Sequence, residues 1–180
     1  MKTAIICPPT IWGVGRGTGN TRSIQIYNLA SAILSKGSAI NLPSLTPETL
    51  FWPNIHIYDL SQLYLSLLES AMTEIGGKAG NATWDKKGYY FAENGKHYWN
   101  EVVKWIAEEA LVQGYMKIKG ASDEKREDLA SVGPALWNDG YTCKSIRGEK
   151  LFGWKPKQGD LRNEISKIVR SEAARLGITN

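Results

Sequence analysis

Directly after an apolar run, the segment "CPPTIWGVGRGTGNTR" (Cys7 to Arg22) alternates four glycines with other residues and carries two arginines. Glycines at this density after a strand raise the possibility of a phosphate-binding loop, in which bare backbone approaches a pyrophosphate. The spacing argues against it. A dinucleotide fingerprint counted from Gly13 reaches Thr18 where the third glycine belongs, and counted from Gly15 it reaches Asn20. No Gly-Lys-Ser or Gly-Lys-Thr follows, and no acidic residue ends a second strand about twenty residues on to hold a ribose. The loop still sits where ligands collect, at the carboxyl end of a strand.

Tyr115 and Lys119 match Tyr-x-x-x-Lys, a spacing that puts a phenol acid and an ammonium on one helix face. They follow the end of a helical pattern, and with eight tyrosines in the chain the match is read as chance. His56 lies three residues before Asp59, and His97 stands just ahead of a helix. A metal site needs three or more converging ligands, and HxH, HxxxH and CxxC are all missing. A His/Asp pair serving a Ser or Cys nucleophile stays open, without the Gly-x-Ser-x-Gly elbow; a hydrogen-bonded structural role is favoured for both histidines. Trp12 is the one tryptophan in the loop, where a core role is not evident.

The elements that must position these groups follow from the hydrophobic pattern. "KTAIIC" reads as a buried strand, and "RSIQIYNLASAILSKG" as a helix with Ile24, Tyr27, Ala30 or Ser31, and Leu34 on one face and Gly37 as its stop. "AINLP" reads as a short strand and "PSLTPETLFWP" as a loop. "NIHIYDLSQLYLSLLESAM" passes from a strand into a helix, with Asp59 at the N-cap, Gln62 three residues on, and Leu60, Leu63, Tyr64, Leu67 and Leu68 as the apolar face. "GGKAGNATWDKKG" reads as loop and "YYFAE" as strand. "YWNEVVKWIAEEALVQG" is an amphipathic helix with Val102, Ile106 and Ala110 in register. A further helix ends at Gly153, and "LRNEISKIVRSEAARLG" closes the chain. Strands alternating with helices predict an α/β fold over a single domain, residues 1–180, yet only two strands are strong.

The chain has 180 residues, 42% hydrophobic and 22% charged, with 22 basic against 18 acidic side chains. A net charge of +4 without clustering excludes a nucleic-acid face, and "SDEKRED" (Ser122 to Asp128) reads as a solvated helix or loop of mixed sign. Cys7 and Cys143 lack metal or disulfide spacing. No apolar run reaches the ~18 residues of a membrane span, and the N-terminus makes a poor signal peptide, so a cytoplasmic location is expected, with no membrane partner and no metal.

Taken in order, four blocks resemble the C-terminal half of an extended short-chain dehydrogenase/reductase of the NAD-dependent epimerase/dehydratase type. "KTAIICPPTIWGVGRG" is similar to that family's strand and RPxxVYGPG loop. "NIHIYDLSQLYLSLLE" is similar to its HVDDLA segment, "GYYFAENGKHYWNEVVKWIAE" to its strand and following helix, and "LFGWKPKQGDLRNEISKIV" to its LGWxP ending. Cys7, Trp12 and Tyr98 depart from the usual Arg, Tyr and Ser. The resemblance implies a partial Rossmann-type sheet with a mainly helical substrate-binding portion. It implies that Pro8, Pro9, Thr10 and Ile11 would pass a nicotinamide, NAD or NADP, if another chain completes the site. Trp12, Gly13, Arg16, Asn20 and Arg22 would then face a small-molecule substrate. In that family the pyrophosphate loop, the catalytic Ser/Thr and the Tyr-Lys pair precede the strand matched by "KTAIIC". No cofactor is therefore expected to bind this chain alone. The alternatives are a cofactor-independent isomerase, cyclase or lyase, with acid/base work by His56, Tyr27, Asp59 or Arg16, and a non-catalytic subunit that pairs through its open sheet edge. A homodimer or higher oligomer through exposed strands is expected. If the chain stands alone, Ile5, Ile6, Tyr89 and Phe91 should be covered; if it is half of a fold, they should be left open.

Overall fold

The computed structural model describes residues 1–42, 50–117, 120–123 and 140–179. Lys119 of the Tyr-x-x-x-Lys match, and residues 124–128 of the mixed-charge run, lie outside them. The expected α/β alternation holds, but the strands are short and more numerous than the sequence pattern predicts. In order they are β1 (Ile5–Cys7), β2 (Thr10–Trp12), α1 (Gln25–Lys36), β3 (Ala39–Asn41), β4 (Phe51–His56), α2 (Ile57–Ile75), β5 (Tyr89–Phe91), β6 (Lys96–Tyr98), α3 (Trp99–Val112), β7 (Ala121–Asp123), α4 (Ile146–Phe152) and α5 (Leu161–Leu176).

The strands form three small sheets. β1 pairs with β5 in parallel, and β3 pairs with β7 in parallel. β4 lies between β2, parallel to it, and β6, antiparallel to it. β2 falls inside the segment read as glycine loop, because Pro8 and Pro9 break the run after β1 and the backbone re-enters a sheet at Thr10. Phe51 to Pro53 belong to β4 rather than to a loop, and Ser122 and Asp123 belong to β7 rather than to a solvated helix or loop.

Two cores hold these pieces. The larger joins α1, α3 and α5 around Ile26, Leu29, Ile33, Trp99, Ile106 and Ile168. The smaller places Leu60, Leu63 and Leu67 of α2 against Ile55, Tyr90 and Trp154. α1 ends as its composition requires: Gly37 takes φ 71°, and its N–H donates to the carbonyls of Ile33 and Leu34. Its buried stripe runs through Ile26, Tyr27, Leu29, Ala30, Ile33 and Leu34, so Ile24, placed on that face by the pattern, instead precedes the first turn and is 61% exposed.

α2 departs from expectation at both its start and its face. Its N-cap is His56, whose Nδ1 accepts from the Tyr58 N–H at 3.1 Å, and Asp59 sits within the first turn. Tyr64 and Leu68, expected in the core, are exposed together with Leu65, Met72 and Ile75. The helix is thus apolar on two faces, and only one is used by the described residues. The β1–β5 sheet shows the same one-sidedness. Ile6 and Tyr90 point into the smaller core, whereas Ile5, Tyr89 and Phe91 on the opposite face are 48%, 52% and 46% exposed. Of the four residues singled out on this sheet, Ile6 is packed inward and the other three are exposed.

Candidate functional site

The strand register builds the centre of the site. Because β2 and β4 are parallel with Trp12 opposite His56, both strands release their chains at the same end, at Gly13 and Ile57. These two residues line a cavity of about 460 Å³ with Pro9, Ile11, Gly15, the Asn20–Gln25 stretch among them. A cavity at the carboxyl ends of parallel strands is where open α/β sheets hold ligands. The loop that encloses it is closed on itself, by the Gly15 N–H donating to the Thr21 carbonyl at 2.9 Å and the Arg22 N–H to Asn20 Oδ1 at 3.1 Å.

The cavity faces the start of α1. Ile24 occupies the N-cap position and offers no side-chain acceptor, no acidic residue lies in the first turn, and Gln25 lines the wall. Ser23, the neighbouring residue able to cap, instead donates its hydroxyl to the Ile11 carbonyl. The first amides of α1 are therefore left without a side-chain cap beside the cavity, an environment that favours an anion.

A second cavity, about 440 Å³, lies at the carboxyl ends of the other parallel pair, β1 and β5. Cys7, Pro8, Pro9 and Phe91 meet Tyr141, Cys143 and Ile146 there. Pro9 lines both cavities, so the Pro8–Trp12 stretch is the partition between them.

Of the residues singled out from sequence, the structure brings Pro9, Ile11, Gly13, Asn20 and Arg22 to the first cavity and Pro8 and Pro9 to the second. Thr10 and Trp12 turn inward. Thr10 is buried with its hydroxyl unpartnered, and Trp12 is only 2% exposed, its Nε1 donating to Asn54 Oδ1 at 2.8 Å. The core role that was not evident for Trp12 is thereby found.

The Arg22 guanidinium is committed to protein. Nε and Nη2 donate to the two carboxylate oxygens of Glu172 at 2.7 and 3.0 Å, and Nη1 donates to Asn28 Oδ1 at 2.9 Å. Burial raises the Glu172 carboxyl, but the bonds from Arg22, Ser31 and Arg175 outweigh it and hold the group below the usual range. Arg22 thus ties the loop to α5 and lends the cavity wall a positive charge that is already paired.

The four acid/base candidates do not converge on either cavity. His56 packs edge-on against Trp12 and Tyr58, each ring centre 4.6 Å away, and Arg16 lies over the far ring, 3.8 Å from the Tyr58 centroid. Burial holds the imidazole below its ordinary pKa, against the pull of Asp59, so it is neutral with its proton on Nε2. Asp59 is buried and accepts the backbone N–H groups of Lys157 and Gln158 at 2.9 and 3.1 Å. Tyr27 is buried, and burial, with Glu164 and Glu172 beyond it, pushes its phenol up to about 12. Each of these side chains has a structural task that the geometry accounts for.

Sequence reasoning missed the uncapped start of α1, which was legible as Ile24 standing where Ser, Thr, Asp or Asn is usual. It also missed Ile57 and the cavity between Cys7 and Cys143, which depend on strand register and carry no local signal. Among the described residues no group of three or more His, Cys, Asp or Glu side chains is placed to hold a metal ion. No described helix is long and apolar enough to cross a membrane.

No family model matches the chain. It is similar to Oxidase ucsJ of Acremonium sp, at 29% identity over 185 residues, covering 99% of this chain and 52% of that protein. Among solved structures it resembles the UDP-glucose 4-epimerase of Thermotoga maritima with UDP-glucose, with a TM-score of 0.61 and 12% identity over 98% of this chain and 47% of the other. It also resembles RMD from Pseudomonas aeruginosa complexed with NADPH, with a TM-score of 0.55 and 14% identity over 92% of this chain and 46% of the other. The chain spans about half the length of each of these relatives. Its fold resembles about half of each of these two solved structures.

Proposed function

We propose that this chain forms the substrate side of an NAD(P)-dependent oxidoreductase or epimerase/dehydratase, the pyrophosphate loop and Tyr-Lys pair being carried by polypeptide outside it. The observation that carries this reading is the cavity at the carboxyl ends of β2 and β4, walled by the glycine loop and faced by the uncapped start of α1. A small substrate with an anionic or carbonyl oxygen suits it, because the free amides of the first helical turn stabilise negative charge there.

The residues present fit a nicotinamide in part. Pro8 and Pro9 stand at the carboxyl end of β1 and Pro9 lines both cavities. They offer ring carbons and carbonyl oxygens but no N–H, which suits the flank of a flat ring and not a pyrophosphate. Thr10 points into the core and does not fit. When bound, the cofactor supplies hydride transfer. This chain's share is to orient the substrate against the Pro8–Ile11 partition, to exclude water with the Gly13–Arg22 loop, and to hold the substrate's charge at α1.

A cofactor-free acid/base enzyme finds no support in the placement of His56, Tyr27, Asp59 and Arg16, which are engaged with one another's surroundings rather than with a shared cavity. The test is a fluorescence titration of the purified chain with NADPH and NADH. The proposal expects no tight saturable binding to the chain alone. It expects saturable binding once a polypeptide bearing the nucleotide loop is present. Tight binding to the chain alone would overturn the division of labour.

A further inference from the structure

The second cavity holds both cysteines of the chain, although they stand near opposite ends of the sequence. Both are free thiols and half-buried. The strand register and three hydrogen bonds explain how they meet. Cys7 is the last residue of β1 and pairs with Phe91 of β5, and its carbonyl accepts from the Ala92 N–H at 3.3 Å. Cys143 lies on the stretch that leads into α4, and this stretch is pinned on both sides. The Tyr141 N–H donates to the Phe51 carbonyl at 3.3 Å, and Ser145 Oγ accepts from the Glu93 N–H at 2.7 Å. Lys144 adds an ion pair to Glu93 at 3.4 Å. Ala92 and Glu93 are neighbours, so the chain just after β5 anchors both thiols. Burial, and then Glu93, raise the Cys143 thiol above its ordinary pKa, and the Cys7 sulfur adds to the shift.

We propose that Cys7 and Cys143 form a redox-active thiol pair, closed to an intramolecular disulfide by a low-molecular-weight disulfide that enters this cavity. The step is two successive thiol–disulfide exchanges. The Cys7 thiolate attacks one sulfur of the small disulfide, whose S–S bond breaks, and the leaving thiolate takes up the proton that Cys7 gave up. Cys143 then gives up its own proton and attacks Cys7 Sγ. The mixed disulfide breaks, and the second small thiolate leaves and takes that proton. The two protein thiols lose two electrons, and the small disulfide is reduced to two thiols. Cys143 is assigned the second attack because burial disfavours its thiolate. A cavity of about 440 Å³ has room for such a reagent, and half-burial leaves both thiols within its reach. The new bond ties the stretch before α4 to β1. Pro8 and Pro9 follow Cys7 directly, so it also fixes the partition between the two cavities. The loop it closes is long, and the native fold has already brought the ends of that loop together. The inference stands on the second cavity alone and not on the ligand reading of the first.

The test exposes the full chain to glutathione disulfide and glutathione at set ratios, quenches with acid, and reads the products by intact mass and peptide mapping. The expected product has lost two hydrogens, carries no glutathione, and yields one cross-linked peptide pair joining Cys7 to Cys143. Cys143→Ser should instead stop at a mixed disulfide between Cys7 and glutathione, since the sulfur that resolves it is gone. The glutathione ratio at half-oxidation gives the effective concentration of one thiol at the other. In the native chain it should exceed the value in urea by about 10-fold or more, with circular dichroism reporting that the oxidised chain and the variant remain folded. Glutathione adducts as the stable product of the unsubstituted chain, disulfide-linked dimers or thiols that do not react would each overturn the proposal. So would a folded Cys143→Ser chain free of adduct, an oxidised chain that has lost its fold, or an effective concentration equal to that in urea.

Discussion

The Cα of Gly13 lies directly against the imidazole of His56: a Cβ built on Gly13 would stand 2.3 Å from His56 Nε2. Gly13 also holds φ 88°, a conformation that favours glycine. The glycine that follows β2 and the histidine that ends β4 are therefore packed as one unit, and Gly13 in turn lines the cavity.

Gly13→Ala should consequently be costly. Backbone strain of ~1–3 kcal/mol and an overlap of similar size predict a loss of about 2–4 kcal/mol in denaturant unfolding. His56→Ala removes the obstacle, so the double variant should recover part of the loss. If Gly13→Ala costs no more than ~0.5 kcal/mol, the proposed close packing is wrong.

Ile24→Asp should act in opposite directions on stability and binding. Ile24 is exposed and has helical φ and ψ, so an aspartate there contributes through the helix dipole rather than as a regular cap. Stability should rise by about 0.5 kcal/mol. The same negative charge competes with an anion at the first turn, and affinity for pyrophosphate should fall roughly 5-fold or more. Calorimetry reads both. A stabilised variant with unchanged pyrophosphate affinity would remove α1 from the site.

His97 makes stability depend on pH. It is almost fully buried; Asn54 Nδ2 donates to its Nδ1 at 3.4 Å, which puts the ring proton on Nε2, where it has no partner. Burial lowers its pKa to about 4, from an ordinary 6.5. Below pH 6.5 the unfolded state takes up the proton that the folded state refuses, so stability is full above that pH and falls until about pH 4. Between pH 6.5 and 5 the loss should be about 2 kcal/mol. Urea denaturation across that range measures it. His97→Gln should flatten the slope, and an unchanged slope would assign the effect elsewhere.

Much of this was legible in the sequence, and the failures have physical causes. The helices were found because their stripes repeat at helical spacing and Gly37, Gly153 and Gly177 stop them in left-handed geometry. β2, β6 and β7 were not, since three residues carry no periodicity and their pairing is set by partners far away in the chain. The second apolar face of α2 misled the core assignment: Tyr64 and Leu68 read as buried because hydrophobicity records what a helix is built to meet, not what covers it in this chain. At the site, the glycine loop was read as a strand end where ligands collect, and a cavity lies against it. Arg22 gave no sign from its position that Glu172, 150 residues away, would occupy its guanidinium.

Glu172 is the clamp between that loop and α5. It accepts from Arg22, Arg175 and Ser31 while itself only 1% exposed. Glu172→Gln should cost about 2–3 kcal/mol, the worth of charge-assisted bonds. Since the folded carboxyl lies below its usual 4.5, the stability it contributes is present above that pH and is lost as pH falls through the folded value. The variant should lack this acid limb. If Glu172→Gln is neutral, Arg22 is free to serve a ligand, and the wall of the cavity must be read differently.

The most direct test of the ligand site is amide-shift mapping by NMR, titrating the chain with pyrophosphate as an anionic probe. The account predicts saturable shifts at Gln25, Ile26 and Tyr27 and in the Gly13–Ser23 loop, reduced in Ile24→Asp. Shifts confined to other surfaces, or no saturable shift at all, would contradict it.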